Sequence, residues 1–330
     1  MGLPTHAERL RIATYHTELH RNGPGVMLRD ITRGDAQVVS ILNVIAAADP
    51  DIVVLQGIDH DTHEFGLSAL KFRLADLGLD LMFQYAPPSN SGLQTGLDID
   101  GDGRLLEPED AQGYGEFLGQ RGIAVLSRYP IDQRNIQNFN ALTWQDFAAA
   151  TSLDQGFLQA TSAEIQETIR LSSTTHSVIP IAIGQQSLRL LTYHATPPVF
   201  DGPEDRNGVR NAHENLFFPF FLDGYFGSAP NNSFVIAALA NIDPMRGEGH
   251  LSVIQSLLMN PRVQAPLGHR RVPTADWPNP PGRLRVSYLL PSSDIKVLDS
   301  GVFTQDQHPV QSDDIVNASR HRLVWVDIDF

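Results

Sequence analysis

The stretch DIDGDGRLLEPE, Asp98 to Glu109, has the spacing of a chain wrapped around a hard cation. Asp98, Asp100 and Asp102 fall at positions 1, 3 and 5 of a twelve-residue calcium loop, and Gly103 falls at the sharp turn. Leu105 takes the apolar eighth position, Glu109 the bidentate twelfth, and Arg104 offers its backbone carbonyl. Calcium takes 6–8 oxygen ligands, and this spacing brings three carboxylates to one point before a fourth closes the shell. The flanks, SNSGLQTG and DAQGYGEF, carry no helical pattern. The expectation is therefore a structural calcium clamp that lowers the entropy of a long loop, not a helix–loop–helix sensor. The competing reading is a solvated acidic turn.

A second candidate region is FVIAALANIDP, Phe234 to Pro244, where an apolar strand runs into an Asn-Ile-Asp-Pro loop. Loops at strand ends are where α/β proteins place reacting groups. Here Ala-Leu-Ala precedes Asn241, with no acid.

The elements that must position these residues follow from hydrophobic period. RIATYHTEL reads as a strand, GDAQVVSILNVIAAADP as a helix stopped at Asp-Pro, and DIVVLQ as a fully apolar strand. Ser68 to Leu79 reads as a helix burying Leu70, Phe72, Leu74 and Leu77. Residues 86–122 form a long Gly-, Asp- and Pro-rich loop before the strand GIAVLSRYPI. HSVIPIAI and QSLRLLTYHATPP pair as a hairpin across Gly184 to Gln186. NGVRNAHENLFFPFFLDGYF reads as a helix interrupted near Pro219 whose aromatic residues pack in a core. HLSVIQSLLMN reads as a helix, and LRVSYLL and RLVWVDIDF as strands. The fold class expected is α/β, two packed, mostly antiparallel or mixed sheets with helices outside, forming one domain over 1–330 with the calcium-loop-like insertion at 86–122.

Bulk composition narrows the partners. The 330 residues include 24 basic and 38 acidic ones, a net charge of -14, which argues against nucleic acid. No apolar run reaches the roughly 18 residues that span a bilayer, so no membrane role is expected. Absence of cysteine excludes disulfides and thiolate zinc sites. MGLPTHAERLRIATYH has no apolar leader core, so the cytoplasm is the default expectation, or the periplasm or exterior if a leader has been removed.

In order along nearly the whole chain, RIATYHTEL, ADPDIVVLQGIDHD, YHATPP, FVIAALANIDP, LRVSYLLPS and ASRHRLVWVDI resemble the endonuclease/exonuclease/phosphatase superfamily. LDIDGDG followed by DAQGYGEFLGQRGIAVLSRYPI is similar to one bacterial subgroup. The resemblance implies a four-layer α/β sandwich and phosphoester hydrolysis with a divalent cation, an Asp that activates water, and His and Asn groups that stabilise developing charge. It assigns His194, Asn241 and His321 to retained family positions. Elsewhere the chain departs. His16 replaces the first-strand Asn, and Gly57 the metal-binding Glu. Leu239 replaces the water-activating Asp of Gly-Asp-Leu-Asn, Ser287 an Asp of a later strand, and Arg320 the Asp before the last His.

Loss of four carboxylates and gain of a cation imply that magnesium has little to hold it, because hard cations need anionic oxygens. The implied role is a degenerate site, catalytically inactive, that binds a small anionic ligand or a protein partner. Arg320 is the first candidate ligand-binding residue, with Arg206 and Arg210 at the cleft mouth. The alternative is an active phosphoesterase with a remodelled site, in which His16, His194 and His321 hold zinc and Asp59, His60 or Asp61 serves as base.

Overall fold

The computed structural model describes residues 9–154, 156, 161–268 and 272–330. The first half of the chain gives strand β1 (Arg9–Leu19), helices α1 (Val26–Arg33) and α2 (Ala36–Ala48), β2 (Ile52–Ile58), α3 (Phe65–Asp76), β3 (Phe83–Tyr85), β4 (Gly122–Ser127) and β5 (Gln137–Asn138). Next come α4 (Trp144–Thr151), α5 (Ala163–Thr168), β6 (His176–Ile183), β7 (Gln186–His194), α6 (Arg206–Leu222), β8 (Phe234–Leu239) and α7 (Leu251–Leu258). The last elements are β9 (Ala275–Asp276), β10 (Arg283–Leu284), β11 (Ser287–Pro291), β12 (Lys296–Val302), α8 (Ser312–Ala318) and β13 (Val324–Asp329). The opening residues read for a leader lie partly outside the described ones. No helix among the described residues is long and apolar enough to cross a membrane.

Six strands form one sheet in the order β12-β13-β1-β2-β4-β3, and five form a second in the order β11-β8-β7-β6-β5. Both are mixed: β1–β2 and β7–β8 run parallel, whereas the other neighbours are antiparallel. The apolar strands explain the layering. In β2, Ile52 and Val54 join a core shared by the two sheets, while Val53 and Leu55 join the core beneath α1–α3 and α8. In β8, Val235 and Ala237 face the shared core, while Phe234, Ile236 and Ala238 face the helices of the second sheet. A strand covered on both faces must be apolar at every position. The result is helix, sheet, sheet, helix.

Local departures from the sequence expectation have identifiable causes. In α3, Leu70 and Leu74 are buried, but Phe72 and Leu77 are exposed at 66% and 49%. The buried stripe runs instead through Leu67, Leu70 and Leu74, at three- and four-residue steps. Helix α6 is not interrupted: it continues through Pro219 to Leu222. Proline there removes one intrahelical bond near the C-terminal end, and the flanking Phe217, Phe218 and Phe221, all fully buried, hold the last turn in place.

The first and last strands are joined by charge as well as by backbone. Asp327 on β13 is buried and accepts hydrogen bonds from Arg11 Nε at 2.8 Å and Arg9 Nη2 at 2.5 Å on β1. Burial alone would raise its pKa, but these two guanidiniums hold it below the ordinary aspartate value. Its contribution is therefore present above the unfolded-state value and lost as pH falls through the folded one. Asp327→Asn should lower stability by about 1.5–3 kcal/mol at neutral pH, the range for hydrogen bonds to charged groups. Urea unfolding at pH 7 and again at pH 3 checks this, since the gap between variant and parent should narrow in acid.

Candidate active site

The carboxyl ends of the parallel strands β1, β2, β7 and β8 bring the sequence-assigned positions together. His16 lies opposite Gln56 in the β1–β2 register, His194 opposite Leu239 in β7–β8, and Leu239 opposite Ser287 in β8–β11. The His16 and His321 ring centroids are 4.3 Å apart, and those of His16 and His194 5.3 Å. Trp277 sits edge-on to His321 at 5.2 Å, forming one wall. Asn241 holds the left-handed conformation (φ 54°) that asparagine tolerates better than most residues, and its Nδ2 donates to the Ala195 carbonyl at 2.7 Å. That bond ties the β8 loop to the residue after His194.

At the replaced positions the neighbours are specific. The register slips on both sides of Gly57, which has φ 68°. A Cβ at this glycine would lie 2.6 Å from His16 Nε2. The imidazole thus occupies the space into which a side chain at 57 would project. Leu239 is buried in an apolar cluster with Ala275 and Val286, flanked by Trp277 and Leu284. Ser287 is buried and its Oγ has no hydrogen-bond partner. Arg320 is answered by an acid: its Nη2 lies 2.5 Å from Glu18 Oε1, and its backbone N–H reaches Glu18 Oε2 at 2.8 Å. Arg320, read from the sequence as the first candidate ligand-binding residue, thus carries an acidic partner. Positions 57, 239, 287 and 320 supply no carboxylate, and Asp59 and Asp61 are committed to backbone donors. Asp59 accepts the backbone N–H groups of Arg21 and Arg121. Asp61 accepts those of His63, Phe65 and Gly66. This donor set does not fit a hard, octahedral, oxygen-seeking ion.

Burial disfavours the charged form of each imidazole. Burial pushes His16 well below the ordinary histidine value, with the neighbouring histidines and Arg320 acting in the same direction. Burial also lowers His194 to about 3 and His321 to about 4. His20, just past β1, falls to about 4, again through burial first and then Arg121. Nδ1 of each of these four rings is buried without a partner. Buried polar atoms are rarely left so, and four in one cluster point to a place where something else binds.

Three participants were not apparent in the sequence reading. Glu18 and His20 follow His16 at steps of two, the period of a strand, so HTELH carried a usable signal. Arg121 left no such trace. Its guanidinium lies over the Tyr114 ring at 5.2 Å, acts electrostatically on His20 and His194, and pairs with no carboxylate among the described residues.

Other predicted residues stand apart. Arg210 is buried and donates to the carbonyls of Leu171, Gln112 and Arg170, so it fastens the long loop and does not line a cleft mouth. Arg206 lies in the field of Asp100, Glu204, Asp110 and Asp201, beside the acidic loop. In that loop, one oxygen each from Asp98, Asp100 and Asp102 gather within 4.8 Å. Asp98 accepts the N–H groups of Gly101 and Gly103. Arg104 turns its guanidinium to the surface near Asp102 and Glu107. Glu109 does not join the three aspartates; its neighbour Asp110 is the buried acid, accepting from Ile99 N–H at 2.8 Å.

A sandwich of two mixed sheets with a polar cluster at the strand ends is the architecture of the metal-dependent phosphoesterases. A family model described as endonuclease/exonuclease/phosphatase family matches residues 21–321, and the chain belongs to that family. An endonuclease/exonuclease/phosphatase from Beutenbergia cavernae is similar in structure, with TM-score 0.56 and 17% identity over 98% of this chain and 72% of that one. The human Nocturnin catalytic domain with bound sulfate aligns with TM-score 0.53 and 14% identity, covering 98% and 93%. The 3′ phosphatase NExo from Neisseria, bound to a product DNA hairpin, gives 0.53 and 14%, covering 97% and 100%. No match to a curated protein is found.

Proposed function

We propose that this chain has exchanged magnesium-dependent hydrolysis for recognition of a small anionic ligand, of the phosphate or phosphoester class, in the family's cleft. One observation carries the reading: the His16 ring occupies the space that a metal-binding side chain at position 57 would need. Leu239 in its apolar cluster and Arg320 paired with Glu18 support it from two further positions. On the other side of the cleft, Arg121 supplies a charge that forms no ion pair among the described residues, with His20 and His194 beside it and Asn241 following β8. A guanidinium suits an oxyanion because its planar donors match two oxygens together.

Calorimetric titration with inorganic phosphate and a simple phosphomonoester tests the binding. Arg121→Ala should weaken it about tenfold or more, as expected for loss of one charge-assisted contact of roughly 1.5–3 kcal/mol. No heat in the parent, or equal affinity in the variant, would remove the proposal. A parallel phosphodiesterase assay with magnesium, manganese and zinc should show no turnover with magnesium. Turnover with zinc alone would select a second reading, hydrolysis at a remodelled histidine site, favoured by the approach of His16 and His321.

A further inference from the structure

We infer that His16, Glu18 and His321 form a binding site for a borderline transition-metal ion of the zinc class, distinct from the family's carboxylate-held magnesium. One nitrogen from each ring and one Glu18 oxygen lie within 4.8 Å of one another. Ligand atoms around a tetrahedral zinc stand about 3.4 Å apart, given bonds of roughly 2.0–2.1 Å, so side-chain adjustments of about an ångström or less complete the set. Both rings are more than nine-tenths buried, and each has an Nδ1 without a partner. Two imidazoles, one carboxylate and an open side match the donor number and type that zinc accepts with a further position for water or an exogenous ligand. His194 stands outside the set, so the three-imidazole arrangement expected from the sequence is replaced by two imidazoles and an acid.

The second coordination layer is already built. Glu18 is oriented by Ser319 Oγ at 3.1 Å and by the Arg320 backbone N–H, while Ser319 Oγ also donates to the His16 carbonyl at 2.9 Å. Such outer partners fix ligand geometry in metal proteins. Arg320 acts in the opposite sense. Its guanidinium lies on the same carboxylate and competes with the ion for it, so it sets the affinity. The site thus carries a built-in competitor, which ordinary surface histidines lack.

The test is occupancy, read independently of phosphate binding or hydrolysis. Full-length metal-stripped protein is titrated with zinc by calorimetry and with cobalt by visible absorption, where a low-coordinate ion gives intense d–d bands. The parent should bind one ion per chain. His16→Ala and His321→Ala should each weaken binding by at least tenfold, and His63→Ala, an exposed histidine elsewhere, should not. Arg320→Gln should tighten binding several-fold by releasing Glu18, and Glu18→Gln should abolish that gain. Because a histidine variant can fail to fold, the Arg320 and Glu18 variants decide the matter without it. Absence of one-to-one binding in the parent would overturn the inference, as would unchanged or weaker binding in Arg320→Gln. Loss of phosphate affinity in Arg121→Ala leaves this result untouched, since Arg121 is not a ligand here.

Discussion

Glutamate placed at position 57 should strip the protein of much of its stability unless His16 is shortened in the same molecule. Two separate penalties meet there. The backbone holds φ 68°, a region that disfavours any side chain by roughly 1–2 kcal/mol. The new Cβ would also meet His16 at 2.6, 3.0 and 3.1 Å, at Nε2, Cε1 and Cδ2. Overpacking of a buried slot costs about 1–3 kcal/mol, so the sum is roughly 2–5 kcal/mol. Native domains have only about 5–15 kcal/mol in total. Urea midpoints of Gly57→Glu, His16→Asn and the double variant close a cycle. The double variant should recover the steric part and keep the backbone strain. Equal midpoints for Gly57→Glu and the parent would show that the ring does not fill the slot. A functional corollary follows: the residue types at 16 and 57 are one choice, made jointly.

Leu239→Asp should be comparably severe. Leu239 is 1% exposed and surrounded by Ala275, Val286, Trp277 and Leu284. Removing it forfeits about 1.5–3 kcal/mol of apolar burial. The side chains of Ala275, Val286 and Leu284 offer a carboxyl no donor, and an unsatisfied buried polar group adds roughly 1–3 kcal/mol even when it takes up a proton. The expected outcome is a loss of about 2.5–6 kcal/mol, read as a large fall in urea midpoint or failure to accumulate in soluble form. Leu239→Met should lose less than about 1.5 kcal/mol, because volume and polarity are kept. Tryptophan fluorescence is well placed as the probe, since Trp277 borders the cluster. If the aspartate variant matches the methionine one, the apolar account of this position is mistaken.

How much of this was readable beforehand depends on the range of each interaction. The double-faced apolar strands DIVVLQ and FVIAAL announced buried sheets, and hydrophobic period needs only local sequence. The retained residues His194, Asn241 and His321 were placed by family pattern, and the fold brings them to one rim. The meaning of His16 was not readable, because it depends on a glycine forty-one positions later and a positive φ. Arg320 looked like a ligand-seeking cation because Glu18 lies 302 residues away in sequence. Arg210 looked available because nothing local reveals that carbonyls of two distant segments, Gln112 and Arg170–Leu171, will close around it. Exposure of Phe72 was missed because position 72 lies about 200° around the helix from both Leu70 and Leu74, on the opposite face.

One feature of the first sheet bears on how the protein is made. Strand β1 lies between β2 and β13, and its outer partner carries Asp327, 318 residues after Arg9. At about 5–20 residues per second, the ribosome needs roughly a quarter-minute to a minute to deliver that partner. Throughout that interval the nascent chain presents an open, apolar strand edge, the kind of surface that recruits neighbouring polypeptides. The second sheet has no such wait for its central pair, because β7 and β8 emerge within one stretch of translation. The outer side of the strand that carries His16 is therefore the last to be sealed.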